Sequence, residues 1–311
     1  MHRVPSAMPS YHKRPLPPGC IAFSSEEGRA IFREALALGV MESFFPLIEQ
    51  FHTQAEPAFC GLGTLVMVLN ALEIDPGRAW KGPWRWFSEE QLDCCRSLDD
   101  VARDGITLTQ LACLARCNGA RADVRFAETS SLEALRAAVR EATSRADDNH
   151  VVVAYDRWTL GQTGSGHFSP VGGLHPDRDL VLLLDVARFK YPPHWVPLEA
   201  LYRAMLPVDP TSGRSRGFVT IRREHAVAPV AALHDANWAE VERFLRDLDG
   251  TDVLVLTGCL REGVSSMPRL LELLRRPDLP QTVEQHLARL RAQVAALDDR
   301  PPPLSQRSSW P

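Results

Sequence analysis

Nowhere in its 311 residues does this chain carry an apolar run approaching the roughly 20 residues that span a bilayer. That excludes a membrane-spanning helix. The first 19 residues hold five prolines and no acidic residue, and they lack the apolar stretch of a secretory signal, so they read as a disordered leader. Charge of one sign is not in surplus: the formal net charge is −4 and the pI about 6.2, which gives no electrostatic case for a nucleic acid or an anionic membrane as partner. Cysteine is sparse, seven in all, which together with the missing signal argues for free thiols in a reducing, cytoplasmic setting rather than a disulfide framework. No internal repeat is found. What is abundant is apolar residues, 45%, enough for a sizeable core in one large domain, or in one of about 220 residues with a smaller appendage.

Helical signals dominate the first half. Ser24-Ser25-Glu26-Glu27 offers a capping box for an amphipathic helix running to Leu38 and stopped by Gly39. Phe44 to Phe51 is a short apolar element, and an apolar helix should run from Cys60 to about Ala71, followed by a turn at Asp75-Pro76-Gly77. Trp80 to Phe87 is an aromatic-rich loop, and further helices are expected at Ser88 to Cys94, Thr107 to Cys117 and Ser131 to Ser144, the last behind a capping box formed by Ser130 and Glu133. From His150 the period changes. His150 to Tyr155, His167 to Leu174, Leu180 to Ala187 and Gly217 to Arg222 are short runs bounded by Gly, Pro and Asp, which fits an antiparallel sheet. A helical lobe followed by a stranded one is the layout of a papain-like, two-lobed α+β enzyme with its site in the cleft. We delimit a leader at 1–19, a catalytic domain at 20–224, a linker at 225–236, a short helical region at 237–300 and a tail at 301–311.

Chemistry concentrates on Cys60. A thiol where a Pro-containing loop meets a helix feels the positive end of the helix dipole and uncapped N–H groups, which should lower its pKa and populate the thiolate. The bland alternative is a small buried hydrophobe. Gln54, upstream on the loop, is a candidate amide donor to a developing oxyanion. His167 sits between glycine and an aromatic in Gly166-His167-Phe168, poorly explained as core packing, and is a candidate base. Asp185 ends an apolar strand where an unpaired carboxylate would be costly; its sharper role is to accept the His167 Nδ1–H and fix the tautomer. The chain order Gln, Cys, His, Asp is that of a papain-like acyl-transfer site.

These residues lie in strings that resemble the catalytic domain of the phytochelatin synthase family: Glu56-Pro57-Ala58-Phe59-Cys60-Gly61, Trp80-Lys81-Gly82-Pro83-Trp84-Arg85-Trp86-Phe87, Gln162-Thr163-Gly164-Ser165-Gly166-His167-Phe168-Ser169-Pro170, and the run from Asp185 to Pro197. The resemblance covers about residues 15 to 223. It implies a papain-like fold and a γ-glutamylcysteine dipeptidyl transferase acting on glutathione. Cys60 would attack the Cys-Gly amide, His167 would protonate the departing glycine, and the γ-Glu-Cys acyl group would pass from the enzyme to the amine of a second glutathione or a growing phytochelatin. Asp209 and Arg216 match positions that recognise the zwitterionic γ-glutamyl end, with a solvated turn as the alternative. Gly166 joins them as a substrate-binding position, and Arg188, Lys190 and Tyr191 could serve the acceptor's carboxylates, a surface turn being the other reading. Two departures stand out: Phe59 replaces the Tyr usual in plant members, and the part beyond 225 is short, holds only Cys259, and faintly resembles a family terminal helix at Leu279 to Ala292.

No organic cofactor is implied. Heavy-metal ions (Cd, Zn, Cu) are expected as activators, largely as glutathione thiolates, so the expected partners are glutathione, metal–glutathione complexes and phytochelatin peptides, with a homodimer left open. Cys94 and Cys95 are adjacent, and Cys113 and Cys117 share a helix face; soft thiolates suit such ions, although the spacing is not that of a zinc finger and buried helix cysteines are the competing reading. Two other functions compete: a peptidase that removes glycine from glutathione or its S-conjugates with water as acceptor, and a non-catalytic thiol-rich metal binder. The second is disfavoured by so few cysteines and leaves Gln54, His167 and Asp185 unexplained.

Overall fold

The computed structural model describes residues 13–145 and 149–223. The chain divides into two units, Met1–Val230 and Ala231–Pro311, and the description is confined to the first. The expectations for 225–236, 237–300, 301–311 and the segment Leu279 to Ala292 lie outside the described residues, as does most of the expected leader.

The described part is α+β. Its elements in chain order are β1 (Ile21–Ala22), α1 (Glu26–Ala37), α2 (Phe44–Glu49), α3 (Cys60–Ala71), α4 (Leu98–Asp104), α5 (Leu108–Cys117), β2 (Ala120–Phe126), α6 (Leu132–Thr143), β3 (Asn149–Asp156), β4 (Gly166–His175), β5 (Leu180–Leu183), β6 (His194–Pro197), α7 (Leu198–Met205), β7 (Val208–Asp209), β8 (Arg214–Ser215) and β9 (Gly217–Arg223). Seven strands form one sheet in the order β1-β6-β5-β4-β3-β9-β2, every neighbouring pair antiparallel. β7 and β8 make a separate two-stranded ribbon.

Local chemistry explains the helix ends. Ser25 accepts from the Gly28 N–H at 3.0 Å to start α1. At the other end Val40 N–H donates to the Ala35 carbonyl and Gly39 N–H to the Leu36 carbonyl, a closure that needs the left-handed φ of +69° at Gly39. Thr107 and Gln110 cap α5 reciprocally. For α6 the cap is Ser131, whose hydroxyl accepts from Ala134 N–H, one residue later than the expected box. The segment Ser88 to Cys94 is not a helix: only the turn Glu89–Gln91 forms, because the chain must be extended again at Ser97 to cap α4 through the Asp100 N–H.

Helix α3 is buried on every side, Gly61 through Asn70, and packs on β4. Such a helix belongs in the core rather than at its edge. Asn70 fastens the aromatic loop to it, donating to the Phe87 carbonyl at 3.0 Å and accepting the Phe87 N–H at 3.1 Å. Trp80, Trp84 and Trp86 stay exposed beyond that anchor. β5 stops at Leu183, short of the expected Ala187, since the chain leaves the ladder to place Asp185.

Gly217 opens β9, and a Cβ there would run into the Arg125 carbonyl of β2. Gly217→Ala should therefore force the β2–β9 pair apart and lower stability by roughly 1–3 kcal/mol, read as a lower urea midpoint with an unchanged m-value; an unaltered midpoint would contradict this packing.

Candidate active site

Four strand ends converge on one spot. β3 and β4 are antiparallel with Tyr155 opposite His167 and Asp156 opposite Gly166, so Arg157, just past the end of β3, lies beside the start of β4, its N–H donating to the Ser165 carbonyl at 2.9 Å. Val171 of β4 pairs with Leu183 of β5, so the residues after Leu183 run back along β4 towards His167. Gly217 of β9 pairs with Ala154 of β3, which brings Arg216 to the same end. Against this end α3 begins, Thr64 donating to the Phe168 carbonyl at 3.2 Å one turn after Cys60, and a Cβ on Gly61 would come within 3.3 Å of the Phe168 ring.

Asp185 is the hub. Its carboxylate is fully buried and accepts from His167 Nε2 at 2.9 Å, from Arg157 Nη2 at 2.9 and 2.8 Å, and from the Ala187 N–H at 2.9 Å. Burial opposes its charge, but His167 and Arg157 override that cost and hold the carboxyl well below the usual carboxylate range. The nitrogen that meets Asp185 is Nε2, not the expected Nδ1. Neutral His167 is then protonated at Nε2, and its basic lone pair sits on Nδ1. Burial, with the Arg157 charge adding to it, pushes the His167 pKa down to about 4.

Cys60 is half-buried at the first position of α3. Burial pushes its thiol up, against the helix-end expectation; the Phe168 N–H and Arg157 pull the other way and the Asp185 charge adds to the rise. Desolvation of a thiolate outweighs the half-charge of a helix end here. These shifts leave the Cys60 thiol protonated and the His167 imidazole neutral near pH 7. A thiol in that state can act as a nucleophile only where a base takes its proton.

Arg157 received no role from sequence reasoning, yet it ties the site together. It is 3% exposed, stacks over Tyr191 with its guanidinium carbon 5.0 Å from the ring centroid, and donates through Nη1 to Gln162 Oε1. Gln162 Nε2 in turn donates to His194 Nε2 at 2.9 Å, and His194 Nδ1 donates to the Pro192 carbonyl at 2.8 Å. The one sequence signal for it was a charged pair, Asp156-Arg157, directly after the apolar run Val151 to Tyr155 of β3. Glu89 was likewise missed: buried at 8% exposure, it accepts the Ala55 N–H at 2.9 Å and lies 3.5 Å from His52, bracing the loop that carries Gln54.

The remaining expectations divide. Gln54 is buried, but both its amide hydrogens go to the loop, to the Glu56 and Pro57 carbonyls at 2.8 Å each, so the expected oxyanion donor is already spent and Oε1 is the atom left without a partner. Arg216 lies over Gly166, Nε and Nη2 each 3.5 Å from where a Gly166 Cβ would stand, and Nη1 donates to the Pro207 carbonyl at 3.0 Å. A methyl group at 166 would meet that guanidinium at ordinary van der Waals distance. Asp209 sits at a turn, accepting the Thr211 N–H at 3.1 Å, which is the turn role weighed above. Tyr191 is not a surface residue: it is buried and its hydroxyl accepts the Thr163 N–H at 2.8 Å. Lys190 donates to the Thr163 carbonyl, and exposed Arg188 stacks on Phe51 at 4.8 Å.

The cysteines also depart from expectation. Cys95 and Cys113 form a disulfide, with Cα atoms 6.6 Å apart, where free thiols were expected. The pairing crosses from the loop before α4 to α5, a contact that spacing along the chain does not reveal. Cys94, Cys95 and Cys117 gather with their sulfurs within 4.8 Å of one another.

The model of the phytochelatin synthase family matches residues 11–218. Among curated relatives, glutathione gamma-glutamylcysteinyltransferase 1 of Arabidopsis thaliana is 49% identical over 245 residues, 78% of this chain and 50% of the relative. The Schizosaccharomyces pombe protein named glutathione gamma-glutamylcysteinyltransferase is 46% identical over 238 residues, 76% of this chain and 57% of the relative. The Triticum aestivum glutathione gamma-glutamylcysteinyltransferase 1 is 52% identical over 215 residues, 69% of this chain and 43% of the relative. The chain spans about half the length of the curated relatives it matches.

Two measurements check the site. Arg157→Met leaves the Asp185 charge buried and unpaired, and should cost about 3–5 kcal/mol by chemical denaturation; a loss under about 1 kcal/mol would show that Arg157 does not compensate it. The depressed His167, and His150, which burial also pushes down to about 4, take up protons less readily folded than unfolded. Their contribution is therefore complete above about pH 6.5 and is lost as pH falls towards 4. The melting temperature should drop across that window, and a His150→Gln, His167→Gln double variant should show a flatter drop.

Proposed function

Because the chain belongs to the phytochelatin synthase family, we propose that it is a γ-glutamylcysteine dipeptidyl transferase of papain-like fold that cleaves glycine from glutathione through a Cys60 acyl-enzyme. The observation that carries this reading is the buried His167–Asp185–Arg157 chain set against the start of the helix that opens with Cys60. The names of the relatives support the substrate: they are glutathione gamma-glutamylcysteinyltransferases.

In this reading His167 Nδ1 takes the Cys60 proton as the sulfur attacks the Cys-Gly carbonyl of glutathione. Asp185 holds the ring through Nε2 and offsets the imidazolium charge that forms. The same proton then goes to the departing glycine amine. The N–H groups of the first turn of α3, which no helical carbonyl uses, are the donors nearest the developing oxyanion. Gln54 joins them only if its amide leaves the Glu56 and Pro57 carbonyls. Arg216, with Nε and Nη2 turned to the gap over Gly166, receives the γ-glutamyl carboxylate and Asp209 its amine. Arg188 and Lys190 serve an incoming carboxylate, and the acceptor amine of glutathione or a phytochelatin peptide closes the cycle.

Heavy-metal ions enter as substrate thiolates of glutathione and stimulate the reaction, and the protein works in the cytoplasm. Among the described residues no helix is long and apolar enough to cross a membrane, which is consistent with that setting.

The test is incubation with glutathione, with and without cadmium, with products identified by mass spectrometry. Oligomeric (γ-Glu-Cys)n-Gly is expected, with Cys60→Ala lowering turnover at least a thousandfold. Free γ-Glu-Cys as the only product would replace transfer by hydrolysis, and full activity in Cys60→Ala would overturn the nucleophile.

A further inference from the structure

Behind Arg157 the buried polar groups form a line of hydrogen bonds that can run in one direction only. At its far end the Pro192 carbonyl can only accept, so His194 carries its proton on Nδ1, 2.8 Å away, and keeps a lone pair on Nε2. At its near end a guanidinium can only donate, so Gln162 turns Oε1 to Arg157 Nη1 and Nε2 to His194 Nε2, 2.9 Å away. The two ends impose the same polarity independently. Arg157 donates to Gln162, Gln162 to His194, and His194 to Pro192. Gln162 and His194 are both buried, and burial holds the His194 pKa down, partly against the Asp185 charge. A neutral ring is the form this line requires, because an Nε2–H would face the Gln162 N–H, donor against donor. The backbone repeats the link, with the Gln162 N–H donating to the Arg157 carbonyl at 2.8 Å.

The consequence falls on Asp185. Its Oδ1 receives His167 Nε2, the Ala187 N–H and Arg157 Nη2, each at 2.9 Å, and the same Nη2 lies 2.8 Å from Oδ2. One arginine nitrogen thus straddles both oxygens. The favoured seat of an arginine on a carboxylate is a fork, two nitrogens on two oxygens. A fork here would aim a full N–H bond at Oδ1, whose two lone-pair directions His167 and Ala187 already use. Nη1 stays out of that fork because Gln162 holds it.

We propose that Gln162 and His194 are positioning residues for the acid–base pair: by holding Arg157 Nη1 away from Asp185 they reserve Oδ1 for the His167 Nε2–H. Neither side chain touches the reacting sulfur. Gln162 acts through Arg157, and His194 acts by turning Gln162, since an amide facing the other way would set its NH2 against the guanidinium. The assignment rests on His167 being the base for Cys60, and its first measurement needs no turnover.

That measurement is NMR of the full-length, substrate-free protein carrying isotope-labelled histidine, at neutral pH. The His167 Nε2–H should appear as a slowly exchanging proton shifted downfield by its bond to Asp185, identified by its loss in His167→Gln. Gln162→Leu removes the acceptor for Nη1 and should speed exchange of that proton at least tenfold, with His194→Phe acting in the same direction. Gln162→Glu restores an oxygen to Nη1 and should keep the signal, a split that a merely structural role would not produce. With glutathione as substrate, Gln162→Leu should lower kcat at least tenfold and leave KM within about twofold, and Gln162→Glu should recover most of the loss. Circular dichroism identifies which variants fold. An unchanged His167 proton in folded Gln162→Leu or folded His194→Phe would overturn the proposal, as would equal loss in Gln162→Leu and Gln162→Glu. If the proton behaves as expected but the unsubstituted protein does not turn over glutathione, the positioning roles stand and the transferase reading falls.

Discussion

One buried carboxylate organises the described part of this chain. Asp185 has no contact with solvent, and three donors converge on it through four hydrogen bonds: the His167 ring, the Arg157 guanidinium and the N–H of Ala187. A bare carboxylate there would cost several kcal/mol in desolvation. The fold tolerates it because the ends of β3 and β5 and the start of β4 stand side by side, so each donor arrives on a different strand. Removing any one strand end from that register would leave a charge without compensation. This is why β5 gives up its ladder after Leu183, and why an arginine rather than an apolar residue follows β3.

The same carboxylate also reaches the thiol, adding to the rise that burial imposes on Cys60. Asp185 fixes the His167 ring through Nε2, and the Arg157 charge beside it offsets the negative charge that would otherwise favour an imidazolium. Burial, more than any neighbouring charge, holds the His167 imidazole neutral and the Cys60 thiol protonated. Beyond the hub, Gln162, His194 and Tyr191 form a supporting ring around Arg157, each with its polar atoms paired inside the protein. Glu89 performs a similar service for the Gln54 loop from the opposite side of α3.

Much of the architecture was legible in the chain itself. Capping residues such as Ser25 and Thr107, and the switch from a helical to a two-residue period near His150, are local signals, set by which side chains can satisfy nearby backbone groups. His167 and Asp185 were visible because each sits where its residue type is poorly suited to plain packing, and Cys60 because it opens an apolar helix after a Pro-containing loop. Arg157, Glu89 and Gln162 were not, since a charged or amide residue at a strand end reads as solvated unless its partner is known. Tyr191 was misread for the complementary reason. Its neighbours are polar and Pro-rich, yet the loop folds inward over Arg157.

The sequence by itself determined most of the element types, the order of Gln54, Cys60, His167 and Asp185, and membership of the family, because these follow from short-range patterning and from strings of matched residues. Only the tertiary structure decided which imidazole nitrogen meets Asp185, that Gln54 spends its amide on its own loop, and that Cys95 stands between Cys113 and the Cys94 and Cys117 sulfurs. The His167–Asp185 and Cys95–Cys113 contacts join residues 18 apart, and the Gln54 amide turns on how its loop bends back on itself, so each outcome is fixed by three-dimensional proximity and burial rather than by residue type along the chain.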